Sequence, residues 1–273
     1  MSQQPKQIQE TLAQEPKSFL RNGLILIVIG SLAYWSFSTI NFQGINDTGV
    51  TITRNIFRAL INPNQRWLFT FESFGIPYLM LETVAIAFLG TLIGGVLAIP
   101  FAFFSSRNIT GRFGSFIGST AVAMVRTFPV FILGLMFIKV TGPGPFAGVL
   151  TIGLSSIGMI TKLYVEAIED IDKGVIEALD ATGCNAIQKI QYGIIPQLSA
   201  NFLSTTIYRF EINVRNATVL GLVGAGGIGF TLVAAMAAYR WNDAAAALWG
   251  IVIVVLFIEY VSTKLRNKLT ANN

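Results

Sequence analysis

KLYVEAIEDIDKGVIEALDATGCNAIQKIQYGIIPQ, from Lys162 to Gln197, is the longest strongly polar interval between apolar runs, and the fold follows from its reading. Apolar residues recur at Val175, Ile176 and Leu179, then at Ile187, Ile190 and Ile194. That spacing predicts a helix or helix pair with one inward face. Gly183 interrupts the pattern and Pro196 is expected to end it, because one frees the backbone and the other lacks a helix donor. A short helix, a glycine turn and a second helix at a membrane surface would make a knob that another protein could grip. An amphipathic segment lying on the headgroups is the plainer alternative.

A membrane surface is implied by everything around this stretch. The chain has 273 residues, 53% of them hydrophobic and 12% charged, where a soluble domain carries about a quarter charged. The net charge of +5 is therefore read as cytoplasmic anchoring of membrane spans rather than affinity for nucleic acid. A single cysteine, Cys184, excludes an internal disulfide framework, and the lack of histidine excludes a His-based metal site or proton relay.

Outward from the knob, the sequence predicts an all-α membrane protein with about six transmembrane helices. Residues 1–20 read as a cytoplasmic tail, and 21–42 as an uncleaved first span. Residues 43–77 read as an extracytoplasmic amphipathic connection containing Arg54, Arg58 and Arg66. The region 78–263 holds the remaining spans, expected near 83–104, 113–140, 146–163, from 198, and 244–261, each close to the roughly 20 residues a bilayer requires. Residues 264–273 read as a second cytoplasmic tail. Gly90, Gly94 and Gly95 suit close helix approach. Lys6, Lys17, Arg21, Arg107, Arg112, Lys162, Lys173, Lys189, Lys264, Arg266 and Lys268 share one side of this arrangement. That bias puts both termini and the knob in the cytoplasm.

Two constellations inside the apolar region could carry function. Arg209, Glu211, Arg215 and Asn216 precede the glycine-rich stretch, and Arg126 lies in the third predicted span. Charges at this depth pair or face water. Glu211 could neutralise either Arg209 or Arg215, and the remaining positive excess would suit an anion, with a phosphorus oxyanion matching the planar guanidinium fork. Gly224, Gly226, Gly227 and Gly229 fit a dinucleotide-binding spacing, with Asp243 downstream. No strand-helix alternation surrounds them, so a bend or broken helix near a gate is preferred. No phosphate-cradling GxxxxGK[ST] motif occurs, so any ATP hydrolysis belongs to another subunit. A secondary transporter working alone would need internal repeats or paired helix breaks, and only one glycine-rich break is present. An intramembrane metalloenzyme built on the carboxylates from Glu166 to Asp180 is weaker still, since lysines intersperse them.

Glu177-Ala178-Leu179, Gly183 and Ile195-Pro196 are similar to the EAA-x3-G-x9-I-x-LP signature of permeases in binding-protein-dependent ABC importers. Leu179 replaces the second Ala, and Ile195 replaces the Leu before Pro. With GPGPFAGVL (142–150), KLYVEAIEDID (162–172) and YRFEINVRNATVLGLVGAGGIG (208–229), the chain resembles phosphonate-importer permeases from about Phe74 to Arg266. The resemblance implies a type I ABC importer permease fold with a coupling helix between spans four and five. Glu177, Ala178, Asp180, Gly183 and Pro196 would contact the ATPase. It also implies a second copy of the chain, two cytoplasmic ATPase subunits holding ATP and Mg, and an extracytoplasmic phosphonate-binding protein, with no cofactor in this chain. Val130 stands where relatives often carry an acidic residue, and Ser155 where some carry histidine. If those positions touch substrate or its pathway, the cargo would differ, for example phosphite or a small alkylphosphonate. Methionine-type permeases share the GAGG element and are the alternative.

Overall fold

The computed structural model describes residues 19–39, 47–72 and 74–271, so the N-terminal tail expected at 1–20 lies almost wholly outside the described residues. The chain divides into two units, residues 1–52 and 53–273. In the first unit, α1 (Phe19–Thr39) is long enough to cross a bilayer and apolar enough over 22–39. The helix α2 (Asp47–Ile61) begins in that unit and continues into the second; it is amphipathic, as expected of the 43–77 connection.

The second unit continues with α3 (Gln65–Phe69), α4 (Ile76–Ser105), α5 (Arg107–Thr127), α6 (Val130–Thr141) and α7 (Pro145–Glu169). After these come α8 (Lys173–Ala181), α9 (Ala186–Lys189), a π turn at Ile190–Ile194, α10 (Ile195–Gly221), α11 (Ile228–Ala237) and α12 (Trp241–Ala271). Every regular element among the described residues is helical.

Four helices are long and apolar enough to span a membrane, and five if α5 and α6 form one broken span, against the six expected. The two shortfalls have separate causes. The predicted span 113–140 bends by 80° between α5 and α6. Phe128, preceding Pro129, adopts extended backbone, as the steric demand of the proline ring favours. The predicted fifth span is α10, at 27 residues the longest helix after α4 and α12. Its charges keep it below the apolarity of its neighbours. The tail expected at 264–273 continues α12 to Ala271.

Side-chain volume explains the packing. Three apolar clusters succeed one another along α4. Ile76, Leu79 and Met80 meet α11 and α12. Ile86 and Ala87 meet Ile152 of α7 and Val214, Ala217 and Leu220 of α10. Ala98 and Ala102 meet Ile160, Tyr164 and Ile168 of α7. The α4–α7 seam is tight because it is built on glycine. A Cβ at Gly90 would lie 2.7 Å from the Ile152 Cβ, and one at Gly94 would lie 2.6 Å from the Ser156 Cβ. Backbones meeting this closely gain dispersion contacts that lipid tails cannot match.

Candidate functional site: an exposed signature helix and a polar transmembrane face

The polar interval folds as the expected knob, with its phase altered. Asp172 caps α8, its Oδ1 accepting from the Gly174 N–H at 2.9 Å. Val175, Ile176 and Leu179 are half-buried, while Glu177, Ala178, Asp180 and Gly183 are exposed. Gly183 adopts φ +77°, and a Cβ there would meet nothing within 4 Å. The carbonyls of Asp180 and Leu179 accept from the Gly183 and Cys184 N–H groups at 2.9 and 3.1 Å. These bonds close the helix end around the left-handed glycine. Asp180 is also paired with Lys189, which ties α8 to α9. Asn185 and Gln188 cap α9 reciprocally at 2.8 and 2.9 Å.

Two details depart from the sequence reading, and a third explains a departure from the signature. Ile187 is exposed rather than inward, because the turn at Thr182–Asn185 resets the helical phase. Pro196 does not end the knob. It lies in the first turn of α10, directly after the π turn, within a continuous helical run. Leu179, larger than the alanine of the signature, sits over Gly193: a Cβ on Gly193 would lie 2.5 Å from the Leu179 Cδ1. The extra bulk is offset by the glycine opposite.

The charges of α10 separate into two groups. Glu211, buried at 8% side-chain exposure, pairs with Arg215 at 2.9 Å and approaches Arg266 at 3.7 Å. Arg215 also reaches Glu259 at 3.1 Å. Two arginines and two carboxylates thus tie α10 to α12. Of the two neutralising partners open to Glu211, the structure uses Arg215. Glu259 and Arg266 were not among the expected site residues, although a lone carboxylate in the apolar run FIEYV was a usable signal. Arg215→Ala should lower the melting temperature of the purified permease by several degrees, and Glu259→Gln by less, since Glu211 would keep only the longer contact to Arg266. An unchanged melting temperature in both would contradict this tie.

Arg209 stands on another face of α10. It is 8% exposed, and its Nη2 donates to the Ser155 Oγ of α7 at 3.2 Å. Asn213, fully buried, donates to Thr91 Oγ1 at 2.8 Å and Ser156 Oγ at 2.7 Å, knitting α10 to α4 and α7. Asn216 reaches the Asn213 Oδ1 at 3.5 Å. Arg126 is exposed, and its stem covers Gly158, where a Cβ would lie 2.7 Å from the Arg126 Cγ. Gly158 is one turn along α7 from Ser155.

The glycine-rich stretch is a true break. Gly224, Gly226 and Gly227 have φ of +96°, +84° and +73°, a region open to glycine at little cost. Gly229 is helical but closely packed; its Cβ would lie 2.2 Å from the Thr218 carbonyl oxygen. The loop is pinned from α4: Glu82 Oε1 accepts from the Gly227 N–H at 3.1 Å and Thr83 Oγ1 from the Ile228 N–H at 3.0 Å. A carboxylate at the start of α11 also opposes that helix's dipole favourably. Beside the break lies a cavity of about 450 Å³ lined by Glu82, Gly144, Gly226, Gly227, Phe230 and Thr231, among others. Glu82 was not expected to matter; a carboxylate inside LETVAIAFLG was the available signal. Asp243, downstream of these glycines, pairs with Arg240 at 3.3 Å and accepts from Asn64 at 2.7 Å.

Comparison with known proteins agrees with this geometry. The family model for the binding-protein-dependent transport system inner membrane component matches residues 90–267. The phosphite transport system permease protein PtxC of Stutzerimonas stutzeri is 35% identical over 190 residues, 68% of this chain and 68% of its own length. The phosphate-import permease protein PhnE of Mycolicibacterium smegmatis is 31% identical over 253 residues, 91% of this chain but 46% of its own length, so the chain spans just under half of that relative. A solved structure of the MetNI methionine ABC transporter in inward-facing conformations shares the fold. Its TM-score is 0.60 at 22% identity, covering 70% of this chain and 94% of the other. The chain belongs to the family of binding-protein-dependent transport system inner membrane components, the permease subunits of ABC importers.

Proposed function

We propose that this chain is the membrane subunit of an ATP-driven importer for phosphorus oxyanions, of the phosphonate and phosphite class. The observation that carries the mechanism is the knob itself. Its signature residues Glu177, Ala178 and Gly183 are exposed on a capped helix between two long helices, with open space at Gly183. Small residues there let a partner's backbone approach, and Glu177 offers it a charge. We assign the knob as the coupling helix, seated on a cytoplasmic ATPase that binds ATP and Mg. The apolar stem at Val175, Ile176 and Leu179 passes the ATPase's closure to α7 and α10.

A second copy of the chain, two ATPase subunits and an extracytoplasmic binding protein complete this assembly, with both termini cytoplasmic. Substrate crosses between the two copies by alternating access. The bend at Gly224, Gly226 and Gly227, packed by Gly229 and latched by Glu82, serves as a gate. Arg126, Arg209 and Asn216 border the path, whereas Glu211 and Arg215 maintain the α10–α12 tie beside it. The oxyanion class is supported by the relatives named for phosphite and phosphate import and by the arginines that α10 and α5 bring to one region.

The experiment is ATPase stimulation in the assembled complex with its binding protein, using methylphosphonate, phosphite, phosphate and methionine. Stimulation by a phosphorus oxyanion and none by methionine is expected. Stimulation by methionine alone would overturn the oxyanion assignment.

A further inference from the structure

Of the two arginines of α10, Arg209 is the buried one, and the fold leaves it without an ion pair. Arg215 and Arg266 each have a carboxylate within 4 Å, whereas no ion pair among the described residues involves Arg209. A guanidinium has five N–H donors. Only the bond to Ser155 is made, and the Arg209 Nε is buried with no partner. Arg209 also sits near the midpoint of the 27-residue α10, at the depth where an unpaired charge is most costly. A fold that keeps such a group gains from it only when something else supplies negative charge.

The helix marks where that something passes. Asn201, Thr205, Arg209 and Asn216 are separated by 4, 4 and 7 residues, which places them within roughly 80° of one another around the helix axis. Along this stripe Asn201 is exposed and Thr205 and Asn216 are partly so, with Arg209 recessed between them. Thr205 Oγ1 donates to Asn201 Oδ1 at 3.3 Å, so the stripe is self-bonded toward one end and unpartnered at the Arg209 Nε. From Asn201 to Asn216 this face is interrupted by Ile212 alone, and a helix with such a polar face borders a water-accessible path rather than lipid.

We propose that the Arg209 guanidinium, positioned by the Ser155 hydroxyl, is the oxyanion-recognition point of the path, and that Asn201, Thr205 and Asn216 form its polar wall. This rests on the importer reading and deepens it. A tetrahedral oxyanion presents two oxygens to a guanidinium; Ser155 takes only an Nη2 donor of Arg209, and the Nε–H is left without a partner. Ser155 holds the fork in place without competing as an anion would.

The test uses the complete complex in proteoliposomes, with phosphite and methylphosphonate as probes. Arg209→Gln should reduce uptake of both by about a hundredfold, the loss expected for two charge-assisted hydrogen bonds. The complex should still assemble. Arg209→Lys should restore part of the uptake with a raised half-saturation concentration. Ser155→Ala should raise that concentration about tenfold at unchanged maximal rate, as expected for loss of one positioning hydrogen bond. Wild-type uptake by an assembled Arg209→Gln complex would overturn the proposal. So would a Ser155→Ala complex that assembles and keeps its half-saturation concentration unchanged, since the hydroxyl would then only tether α7 to α10. If Arg209→Gln fails to assemble, the Lys and Ser155→Ala variants decide by the same criterion. A wild-type complex that takes up neither probe would instead overturn the importer reading itself.

Discussion

Gly183→Asp should abolish ATP-dependent uptake while leaving the permease in the membrane at normal abundance. Gly183 ends α8 at φ +77°, and a Cβ there meets nothing within 4 Å of this chain. Within the permease the substitution is therefore limited to backbone strain, about 1 kcal/mol for a non-glycine residue in the left-handed region. That is too little to unfold a protein held by the three clusters along α4. At the partner interface the added carboxylate meets a surface shaped for bare backbone, beside the existing charges of Glu177 and Asp180. Gly183→Ala separates the two effects: it carries similar strain without the charge and should retain substantial uptake. Full uptake by Gly183→Asp would refute the coupling assignment, and loss of the protein from the membrane would place the effect in folding.

Gly94→Leu should remove the folded permease altogether. At Gly94 a Cβ alone would lie 2.6 Å from the Ser156 Cβ and 2.8 Å from the Gly153 carbonyl oxygen, both on the α7 side of the seam. Overpacking by single methylene groups costs about 1–3 kcal/mol, and here a full leucine must displace backbone. Separating α4 from α7 also breaks the Asn213 bonds to Thr91 and Ser156, which span the same seam. The matched control is Gly153→Ala, where the new Cβ would find ordinary contacts at 3.6 and 3.8 Å. It should accumulate normally. Membrane abundance and resistance to detergent extraction, measured for both variants, check the pair; normal folding of Gly94→Leu would contradict the seam described above.

The same two regions show what the sequence made legible. The glycines of α4 were recognisable as a close-approach surface because several small residues within a span have few other uses. Their partners, Ile152 and Ser156, were not, since facing residues on two helices leave no mutual signal in one sequence. The knob was legible because its polarity contrasts with its flanks and its residue types match a signature. Its phase was not: the π turn at Ile190–Ile194 and the reset at Thr182–Asn185 shift which residues face inward. Hence Ile187 emerges exposed and Pro196 opens a helix instead of closing one. The charges of α10 were visible, but their pairing depended on Glu259 and Arg266, distant in sequence and on another helix. The predicted spans show a related limit. Length and rough apolarity suggested a lipid-facing span where α10 carries a polar stripe, and they concealed the 80° bend before α6.

The central claim is that the α8 knob lies on the cytoplasmic face, under an ATPase subunit. Cys184, the only cysteine, stands next to Gly183 and is partly exposed, so the native chain carries its own probe. The measurement is labelling of Cys184 by a membrane-impermeant maleimide in intact cells and in inverted vesicles, with and without the ATPase subunits. Labelling only in inverted vesicles, and protection when the ATPase is assembled, is the predicted result. Labelling from outside intact cells, or labelling in inverted vesicles that the ATPase leaves unchanged, would contradict it.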